Sequence, residues 1–414
     1  MSFQVQFTPP ALPEETWLEG LSLYWVKRDG PLVSFLAIWD APSLKDYAPG
    51  VRRLLLRLLS EENTYYPKGE LGRRLTKLGW TWSWEAHRDA IFLTAEGLVE
   101  NVASALSLLS KMVEYPLLRG EGVRRQLYRL VEEHQRRWAS PAYRADGKLA
   151  QLLWGDCYTV SEAASRDLLM ELPIEQVELY YNRFLRRGLR AIVVGGPSIP
   201  TEIHEWTRWV APIRYEIPWP WKRGRSVCYT EHMPEVHQAS LRLGYPWIRS
   251  SHPLYGFYRL ALVRLGGYFG SQLMQVIREE AGLTYGIHIR VEETQIGSFF
   301  SIVTEVAQDR VREAVARIEQ EVQKWSTCPF PQPALLREVR NYLLMQYMPE
   351  GLSEWIYRIG RLVAAGRSVA DYVQQGEQIA AAQWERWPEL SLPATPCVQV
   401  GVGVDSAIFA TACV

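Results

Sequence analysis

The feature of this sequence that most constrains its fold is a pattern of strands and helices that occurs twice. The first half begins with "GLSLYWVKRD" and "LVSFLAIWDA", which alternate like paired strands, and continues through two helical stretches and two further strands to a long helix. The second half runs in the same order from "HQASLRLGYPW" through "GSQLMQVIREEAG" and "GSFFSIVTEV" to the helix "DRVREAVARIEQEVQKW". We interpret this repetition as an internal duplication, because its period is too long for a solenoid.

The duplication predicts both the fold class and the division of the chain. Strands that precede helices, without regular β-α-β alternation, favour an α+β fold in which helices pack on a mostly antiparallel sheet. We expect two homologous halves at residues 1–205 and 225–414. The stretch "APIRYEIPWPWKRGRS", which is rich in proline and tryptophan, indicates a linker between them, and we place that linker at residues 206–224.

Composition limits the possible functions. The 414 residues are 47% hydrophobic and 22% charged with a formal net charge of zero, so nothing electrostatic favours nucleic acid or an anionic membrane as a partner. No apolar run approaches the roughly 20 residues of a membrane helix, and no signal peptide is visible at the start. The five cysteines are never spaced as Cys-x-x-Cys, so we expect free thiols and a cytoplasmic location.

The most specific motif is the corner "QLMQVIREEAGLTYGI", where Arg278 ends a helix, Gly282 stops it and Tyr285 begins a strand. The longer segment "LGGYFGSQLMQVIREEAGLTYGI" resembles the second-half signature of the pitrilysin-type (M16) zinc peptidases, in their processing-peptidase branch. The resemblance covers nearly the whole chain, because that family has the same duplicated plan. It implies a LuxS/processing-peptidase-like α+β fold that forms half of a clamshell.

The resemblance also implies where zinc would be bound, and there this sequence departs from the family. Relatives carry His-x-x-Glu-His on the first helix of the first half and a further glutamate later; two histidines and that glutamate bind zinc, while the middle glutamate activates water. The matching positions in "PGVRRLLLRLL" are Arg53, Leu56 and Arg57. The later acidic position remains, as Glu132 or Glu133. Arginine does not lose its proton and leucine has no donor atom, so we expect no metal in this chain.

The strand that follows the first helices departs from the family as well. Active relatives have an Asn-Ala-x-Thr run on the edge strand that pairs with substrate. The aligned residues here are Ser83, Trp84, Glu85 and Ala86, although Arg88 and Asp89 just after them fit the pattern. The first half has therefore lost its metal ligands and part of its predicted peptide-binding strand, whereas the second half has kept its motif.

This asymmetry leads to a predicted function. In family members with two kinds of subunit, one subunit holds zinc and the other supplies an arginine that positions substrate and a tyrosine that stabilises the oxyanion. By resemblance, Arg278 and Tyr285 are the expected catalytic residues, acting at a partner's zinc, and Gly282 and Thr284 are expected at the substrate. The expected partners are a homologous subunit with an intact His-x-x-Glu-His motif and a peptide or unfolded protein.

Other interpretations stay open from the sequence alone. A helix-terminal arginine and a tyrosine at a strand start can be structural, and Glu133 can be an ion-paired surface residue. The chain can equally be a structural or assembly subunit, or a peptide-binding protein, of the same fold. The stretch "EHMPEVH" holds metal-ligating residue types, but Pro234 prevents a helix that would bring them to one face. Alternating tryptophans at 80, 82 and 84 favour core or subunit-interface packing.

Overall fold

The computed structural model describes residues 5–61, 63–155, 157–210 and 227–404. Within these ranges the strands are β1 (Glu14–Leu18), β2 (Leu21–Lys27), β3 (Leu32–Asp40), β4 (Thr81–Ala86), β5 (Ala90–Leu98), β6 (Leu189–Gly196), β7 (Val227–Glu231), β8 (Gln238–Pro246), β9 (Ile287–Thr294), β10 (Gly297–Ala307) and β11 (Val398–Val402).

The α-helices in the same ranges are α1 (Val51–Glu61), α2 (Glu70–Lys77), α3 (Val102–Glu114), α4 (Glu121–Trp138), α5 (Pro141–Trp154), α6 (Arg166–Met170), α7 (Ile174–Tyr180), α8 (Tyr255–Gly266), α9 (Val311–Thr327), α10 (Pro333–Tyr347), α11 (Leu352–Ala364) and α12 (Val369–Ala380). Two π-helical segments, Tyr181–Leu185 and Met274–Glu280, and a 3-10 helix, Thr201–Trp209, accompany them. Among these described helices, none has both the length and the apolar composition needed to cross a bilayer.

The strands form two sheets that share one topology. The first sheet has the order β1-β2-β6-β3-β5-β4 and the second has the order β7-β11-β8-β10-β9. Without β1, the orders correspond strand for strand, and in each sheet one pair, β2 with β6 or β7 with β11, is parallel while the others are antiparallel. The predicted α+β fold of two homologous halves is therefore confirmed.

Each sheet is covered on one face by a helix from the other half. The first sheet packs its own helices on one face, whereas Leu36 and Ile38 on the opposite face pack with Ile356 and Ile359 of α11. The second sheet does the same in reverse, because its outer face packs against α5 of the first half. The two halves thus exchange equivalent helices, and neither sheet is buried on both faces without the other half.

The predicted linker falls partly inside the first core. Its first residues belong to the 3-10 helix, where Trp206 is fully buried and Trp209 nearly so, against the first sheet. Residues 211–226, which are the whole of the proline- and tryptophan-rich stretch, lie outside the described residues.

The cysteines differ from the sequence-based expectation at one position. Cys157, Cys328 and Cys397 form no disulfide, as predicted. Cys228 on β7 is disulfide-bonded, so the prediction of free thiols throughout the chain is wrong there. Scattered spacing did not reveal this bond, since a disulfide depends on which residues meet in three dimensions.

Candidate functional site

Helix α1 carries the residues at which the sequence resemblance places a zinc motif. The helix packs because Leu54 and Leu58, among others, are buried against the first sheet. Arg53, Leu56 and Arg57, spaced i, i+3 and i+4, lie on one side of the helix, and all three line a cavity. The sequence pattern and the structure therefore agree on which side of α1 faces the candidate site.

An ion-pair cluster involves the one remaining acidic position. The guanidinium of Arg57 pairs with the carboxylate of Glu133 on α4, and Arg137 lies 2.9 Å from the same carboxylate. Glu132 is exposed and takes no part, so Glu133 is the residue that faces α1. A guanidinium donates hydrogen bonds and has no lone pair for a metal, so these residues do not fit a zinc ion. Among the described residues, no three His, Cys, Asp or Glu side chains group as a metal site.

Arg53 ends a short chain of hydrogen bonds. Its Nη1 lies 3.5 Å from the hydroxyl of Tyr143, and that hydroxyl lies 3.2 Å from Nδ1 of His134. Nε2 of His134 lies 3.0 Å from the carbonyl of Ala164, which can only accept, so Nε2 carries the proton and Nδ1 accepts from Tyr143. Burial lowers the pKa of His134, which keeps the ring neutral and this order of donors fixed near pH 7.

Strand β4 is one of the two outer strands of the first sheet, and two of its side chains already have partners within the chain. Glu85 accepts a hydrogen bond from the hydroxyl of Tyr357 at 2.7 Å, and the indole N–H of Trp84 lies 3.3 Å from the sulfur of Met112. Trp80 is buried, and Trp84 packs partly buried in the same core. The tryptophan stripe therefore serves packing, as the sequence favours.

A cavity of about 1650 Å³ lies between the two halves. It is bounded by α1 and the β4–β5 turn of the first half and by β9, α10 and α11 of the second half. Nine arginines line it, against six aspartates and glutamates, so its described wall carries an excess of positive charge. A wall of this sign favours anionic groups inside the cavity.

The β4–β5 turn ties the halves together at this cavity. Arg88 forms an ion pair with Glu292 of β9. Asp89 is buried; it accepts a hydrogen bond from the Tyr158 hydroxyl and another from the backbone N–H of Gln295, 2.8 Å away in the β9–β10 turn. Burial raises the pKa of Asp89 against the opposing effect of these two bonds. Arg88 and Asp89, which fit the family pattern, therefore join the two halves.

His87 is a neutral acceptor in the cavity wall. Its Nδ1 lies 2.7 Å from Nη1 of Arg361, which can only donate. Burial, followed by the positive charges of Arg361 and Arg52, lowers the pKa of His87 to about 4. The ring is therefore uncharged at neutral pH.

The Arg278–Tyr285 corner is built by a widened helix and a left-handed glycine. The helix ends in the π-helical segment, where Leu283 donates its N–H to the carbonyl of Ile277 at 3.0 Å, and Gly282 has a φ of +59°. This φ is unfavourable for a residue with a side chain, so Gly282 is suited to the turn. Beyond it, Tyr285 stands out with 88% of its surface exposed.

Arg278 lies in an exposed aromatic setting on the same corner. Its guanidinium stacks 4.9 Å from the ring centre of Phe269, which is 67% exposed, and its Nη1 lies 2.9 Å from Glu279. Thr284, predicted to contact substrate, uses its hydroxyl internally and donates to the carbonyl of Glu305 at 2.7 Å. Arg278 itself is half-buried, whereas Phe269 and Tyr285 are exposed, and we call these three residues the corner patch.

Comparisons with known proteins connect this geometry to a family. Residues 172–342 match the family model described as the peptidase M16 inactive domain. This match covers less than half of the chain, so over that segment the chain is similar to the M16 inactive domain. A comparison with curated protein sequences gives no match.

Several solved structures, two of them with M16 in their names, share the fold. A peptidase M16 inactive domain from Pseudomonas fluorescens matches with a TM-score of 0.80 and 20% identity, over 95% of this chain and 98% of that one. A protease from Helicobacter pylori matches with a TM-score of 0.71 and 14% identity, over 95% and 100%. An M16-like peptidase from Alicyclobacillus acidocaldarius matches with a TM-score of 0.70 and 16% identity, over 98% and 100%.

The corner patch and helix α1, where the resemblance places the zinc motif, do not share a site. Arg53, Leu56 and Arg57 line the cavity, whereas Arg278 and Tyr285 do not. Tyr285 lies two residues before β9, whose later residues, from Arg290 to Thr294, do line the cavity. At about 3.3 Å per residue, five residues of strand separate Tyr285 from the cavity wall by roughly 16 Å.

Sequence reasoning missed an arginine and tyrosine cluster at the second-half end of the cavity. Arg259, Arg358 and Arg367 line this end together with Tyr347 and Tyr372. These residues come from different helices and from the loop before α12, so no local sequence motif predicts that they lie together. The signal available in the sequence was the abundance of arginine, which does not show where in the fold the arginines lie.

The other sequence candidates do not form a site. His232, Glu235 and His237 are exposed in the segment before β8, and His204 and Glu205 are exposed on the 3-10 helix. None of them belongs to a group of described side chains that could hold a metal ion.

Proposed function

We propose that this chain is a zinc-free subunit of a two-chain M16 peptidase. In this proposal it supplies Arg278 and Tyr285 to the zinc site of a homologous partner that carries His-x-x-Glu-His, and it helps to enclose the peptide. The zinc belongs to the partner, and the pair of subunits would form the two halves of a clamshell around a peptide or unfolded protein.

One contrast carries the proposal. The positions that would hold zinc are occupied by Arg57 and its ion pair with Glu133, while Tyr285 is 88% exposed on the corner patch. Phe269, which stacks on Arg278, is also 67% exposed, and these two exposed aromatic side chains give the corner patch an apolar surface that a partner chain would cover. Because the corner patch does not line the chain's own cavity, it is available to a second chain.

The chemistry of the corner patch suits an oxyanion. The Tyr285 hydroxyl can donate a hydrogen bond to a carbonyl oxygen as negative charge develops on it, and such donors contribute a few kcal/mol when fixed in place. Arg278 is held by its stack on Phe269 and by Glu279, and its remaining N–H groups can donate to substrate carbonyls. Gly282 and the internally bonded Thr284 support this geometry, and in the proposal they contact substrate through the backbone.

The first test replaces Tyr285 with phenylalanine in a complex reconstituted with a zinc-bearing homologue. The substitution removes only the hydroxyl of an exposed ring, so folding and association should be unchanged. We expect kcat for a fluorogenic peptide to fall about 100-fold, the typical effect of losing one oxyanion donor. Complex formation is checked by size-exclusion chromatography.

A matched control is Tyr128→Phe, which removes the hydroxyl of another exposed tyrosine, on α4. It should leave kcat unchanged. Arg278→Ala should raise KM as well as lower kcat, because a charged donor also binds the ground-state carbonyl. Full turnover by the Tyr285→Phe complex, with assembly intact, would contradict the proposed role and favour a scaffold subunit.

The cytoplasmic location stays a prediction. The free thiols of Cys157, Cys328 and Cys397 support a reducing compartment, whereas the bonded Cys228 favours an oxidising one. Fractionation of the native host with an antibody to this chain would decide between the two.

A further inference from the structure

We propose that the cavity between the halves selects acidic stretches of extended peptide through the arginines at its second-half end. The inference deepens the proposed function by naming its substrate class. It rests on that function only for the cleavage of a bound peptide, since the binding itself needs this chain alone.

Some arginines of the cavity wall form ion pairs with carboxylates, and others do not. Arg57, Arg88, Arg290 and Arg358 each form an ion pair with a carboxylate. The other five wall arginines make no ion pair with a described carboxylate; these are Arg52, Arg53, Arg259, Arg361 and Arg367. Partial burial of a guanidinium without a counter-ion raises the free energy of the folded chain, and a bound carboxylate lowers it again.

Two wall carboxylates form ion pairs and so oppose an anionic ligand less. Glu292 pairs with Arg88, and Glu354 pairs with Arg358. Glu293 keeps its charge and accepts hydrogen bonds from both the backbone N–H and the hydroxyl of Ser250, at 3.0 Å and 2.6 Å. Once the ion-paired groups are set aside, five wall arginines face four wall carboxylates, Asp89, Glu162, Glu293 and Glu350, so a small positive excess remains.

Aromatic rings hold the arginines in place. Arg358 donates to the Tyr372 hydroxyl and lies 5.6 Å from that ring's centre, and Tyr372 stacks at 4.6 Å on the buried ring of Tyr347. Arg367 donates to Gln375 at 3.0 Å. Such fixed guanidiniums lose little freedom on binding a carboxylate, which favours recognition by paired hydrogen bonds.

Arg259 also lies close to the buried ring of Tyr347. Burial raises the pKa of Tyr347, and the charges that oppose this rise are those of Arg259, Arg367 and Arg358. Three guanidiniums therefore converge near one buried ring, with Glu354 as the carboxylate paired to one of them. We call Arg259, Arg358 and Arg367 the arginine cluster.

The shape of the cavity favours a peptide over a small anion. Its volume of about 1650 Å³ exceeds the roughly 300–1,000 Å³ of small-molecule sites. One outer strand of each sheet borders it, with Trp84 and Ala86 on β4 and residues 290–294 on β9. Outer strands present unpaired backbone groups that bind extended peptides, so the strands supply affinity and the arginine cluster supplies selectivity.

Binding to the purified full chain tests the inference, with three fluorescently labelled probes. The first is a short peptide of alternating glutamate and serine, the second replaces each glutamate with glutamine, and the third is the first with an amidated C-terminus. By fluorescence anisotropy we expect the glutamate peptide to bind at least about tenfold more tightly than its glutamine twin, because several charge-assisted bonds are lost in the twin. Amidation should change the affinity less than about twofold, and added salt should weaken binding.

Variants assign the selectivity to the arginine cluster. The double variant Arg259→Gln with Arg367→Gln should bind the glutamate peptide about tenfold or more weakly, and the corresponding lysine variant should retain more affinity because it keeps the charge. The control Arg317→Gln, on α9 outside the cavity, should bind as the unmodified chain does. If the glutamine variant fails to fold, the twin-peptide and salt comparisons on the unmodified chain decide.

Three outcomes overturn the inference. They are equal affinity for the glutamate and glutamine peptides, loss of binding on C-terminal amidation alone, and an Arg317→Gln variant as weak as the cluster variant. The proposed function fails separately, in the turnover of the Tyr285→Phe complex on a neutral peptide. Acidic selectivity can thus persist when the catalytic role fails, and the reverse also holds.

Discussion

At Glu133 a carboxylate is neutralised by Arg57 and Arg137 rather than by a metal ion. Both partners in the Arg57 pair are about 30% exposed, and pairs this accessible contribute little to stability because solvent screens them. The pair is therefore replaceable without loss of the fold. Arg53 and Arg57 are four residues apart on α1, which is the spacing of two ligands on one helix face.

We predict that histidine at both positions creates a zinc site. In the variant Arg53→His with Arg57→His, two imidazoles and the Glu133 carboxylate give a ligand set common in catalytic zinc sites. Elemental analysis after dialysis should show about one zinc per chain, and adding Glu133→Gln should remove it. The unmodified chain should hold none in stoichiometric amount, and a full zinc complement there would contradict our assignment of α1.

A second prediction concerns His87 and pH. Its pKa falls from 6.5 to about 4 on folding, so between these values the unfolded chain binds more protons than the folded one. The stability from the neutral ring is therefore present above pH 6.5 and is lost as pH falls toward 4. Between pH 7 and pH 5 the loss is about 2 kcal/mol, taking 1.36 kcal/mol per pKa unit. The side chain is only 19% exposed, so screening by solvent is limited.

The variant His87→Asn isolates this effect. Asparagine keeps an acceptor for Arg361 but does not titrate, so urea midpoints at pH 7 and pH 5 should differ less for the variant than for the unmodified chain. Asp89, Arg52 and Glu85 are unchanged in both proteins, and their own titration largely cancels in the comparison. An equal acid shift in the two proteins would show that His87 is not the group responsible.

The sequence predicted those secondary-structure elements that depend on interactions between residues close together in the chain. The paired strands and amphipathic helices of both halves follow from side-chain periodicity, and the end of the helix before Tyr285 follows from Gly282. Strands β6 and β11 were not predicted, because each is a short glycine-containing run whose parallel pairing joins residues far apart in sequence. The arginine cluster was not predicted for the same reason, because its residues come from three separate parts of the chain.

The packing of α11 on the first sheet gives an element-scale prediction. A Cβ at Gly360 would lie 2.1 Å from Cδ2 of Leu36, a fully buried side chain with no room to turn. Alanine normally stabilises a helix by up to about 1 kcal/mol over glycine, but overpacking here should outweigh that gain. We expect Gly360→Ala to lower the free energy of unfolding by about 1–3 kcal/mol in urea titration.

The matched control is Gly351→Ala, just before α11, where a Cβ meets no atom within 4 Å. Its cost should stay below about 1 kcal/mol, the usual scale of a lost N-cap preference. If Gly360→Ala is as stable as the unmodified chain, α11 does not press on the first sheet as closely as the structure indicates.

At the scale of the whole molecule, the exchange of α5 and α11 makes each half depend on the other. Polar contacts join the two halves, as the apolar contacts do. Arg242 of β8 is 1% exposed, and it reaches Asp146 of α5 at 2.5 Å and Glu305 at 3.1 Å. Arg88 and Asp89 add two further connections across the cavity. A half that separated would expose an apolar sheet face and would leave the charge of Arg242 without Asp146.

This dependence predicts that the chain unfolds in one step, although two halves of this size would often unfold separately. Leu54→Ala tests it, because Leu54 is fully buried in the first core and its loss should cost about 2–5 kcal/mol there. If the halves are coupled, calorimetry should show one transition at a lower temperature. Hydrogen exchange at β8 and β10, in the other half, should quicken with it. A split transition, with β10 still protected after the first half melts, would show that the exchanged helices do not couple the halves.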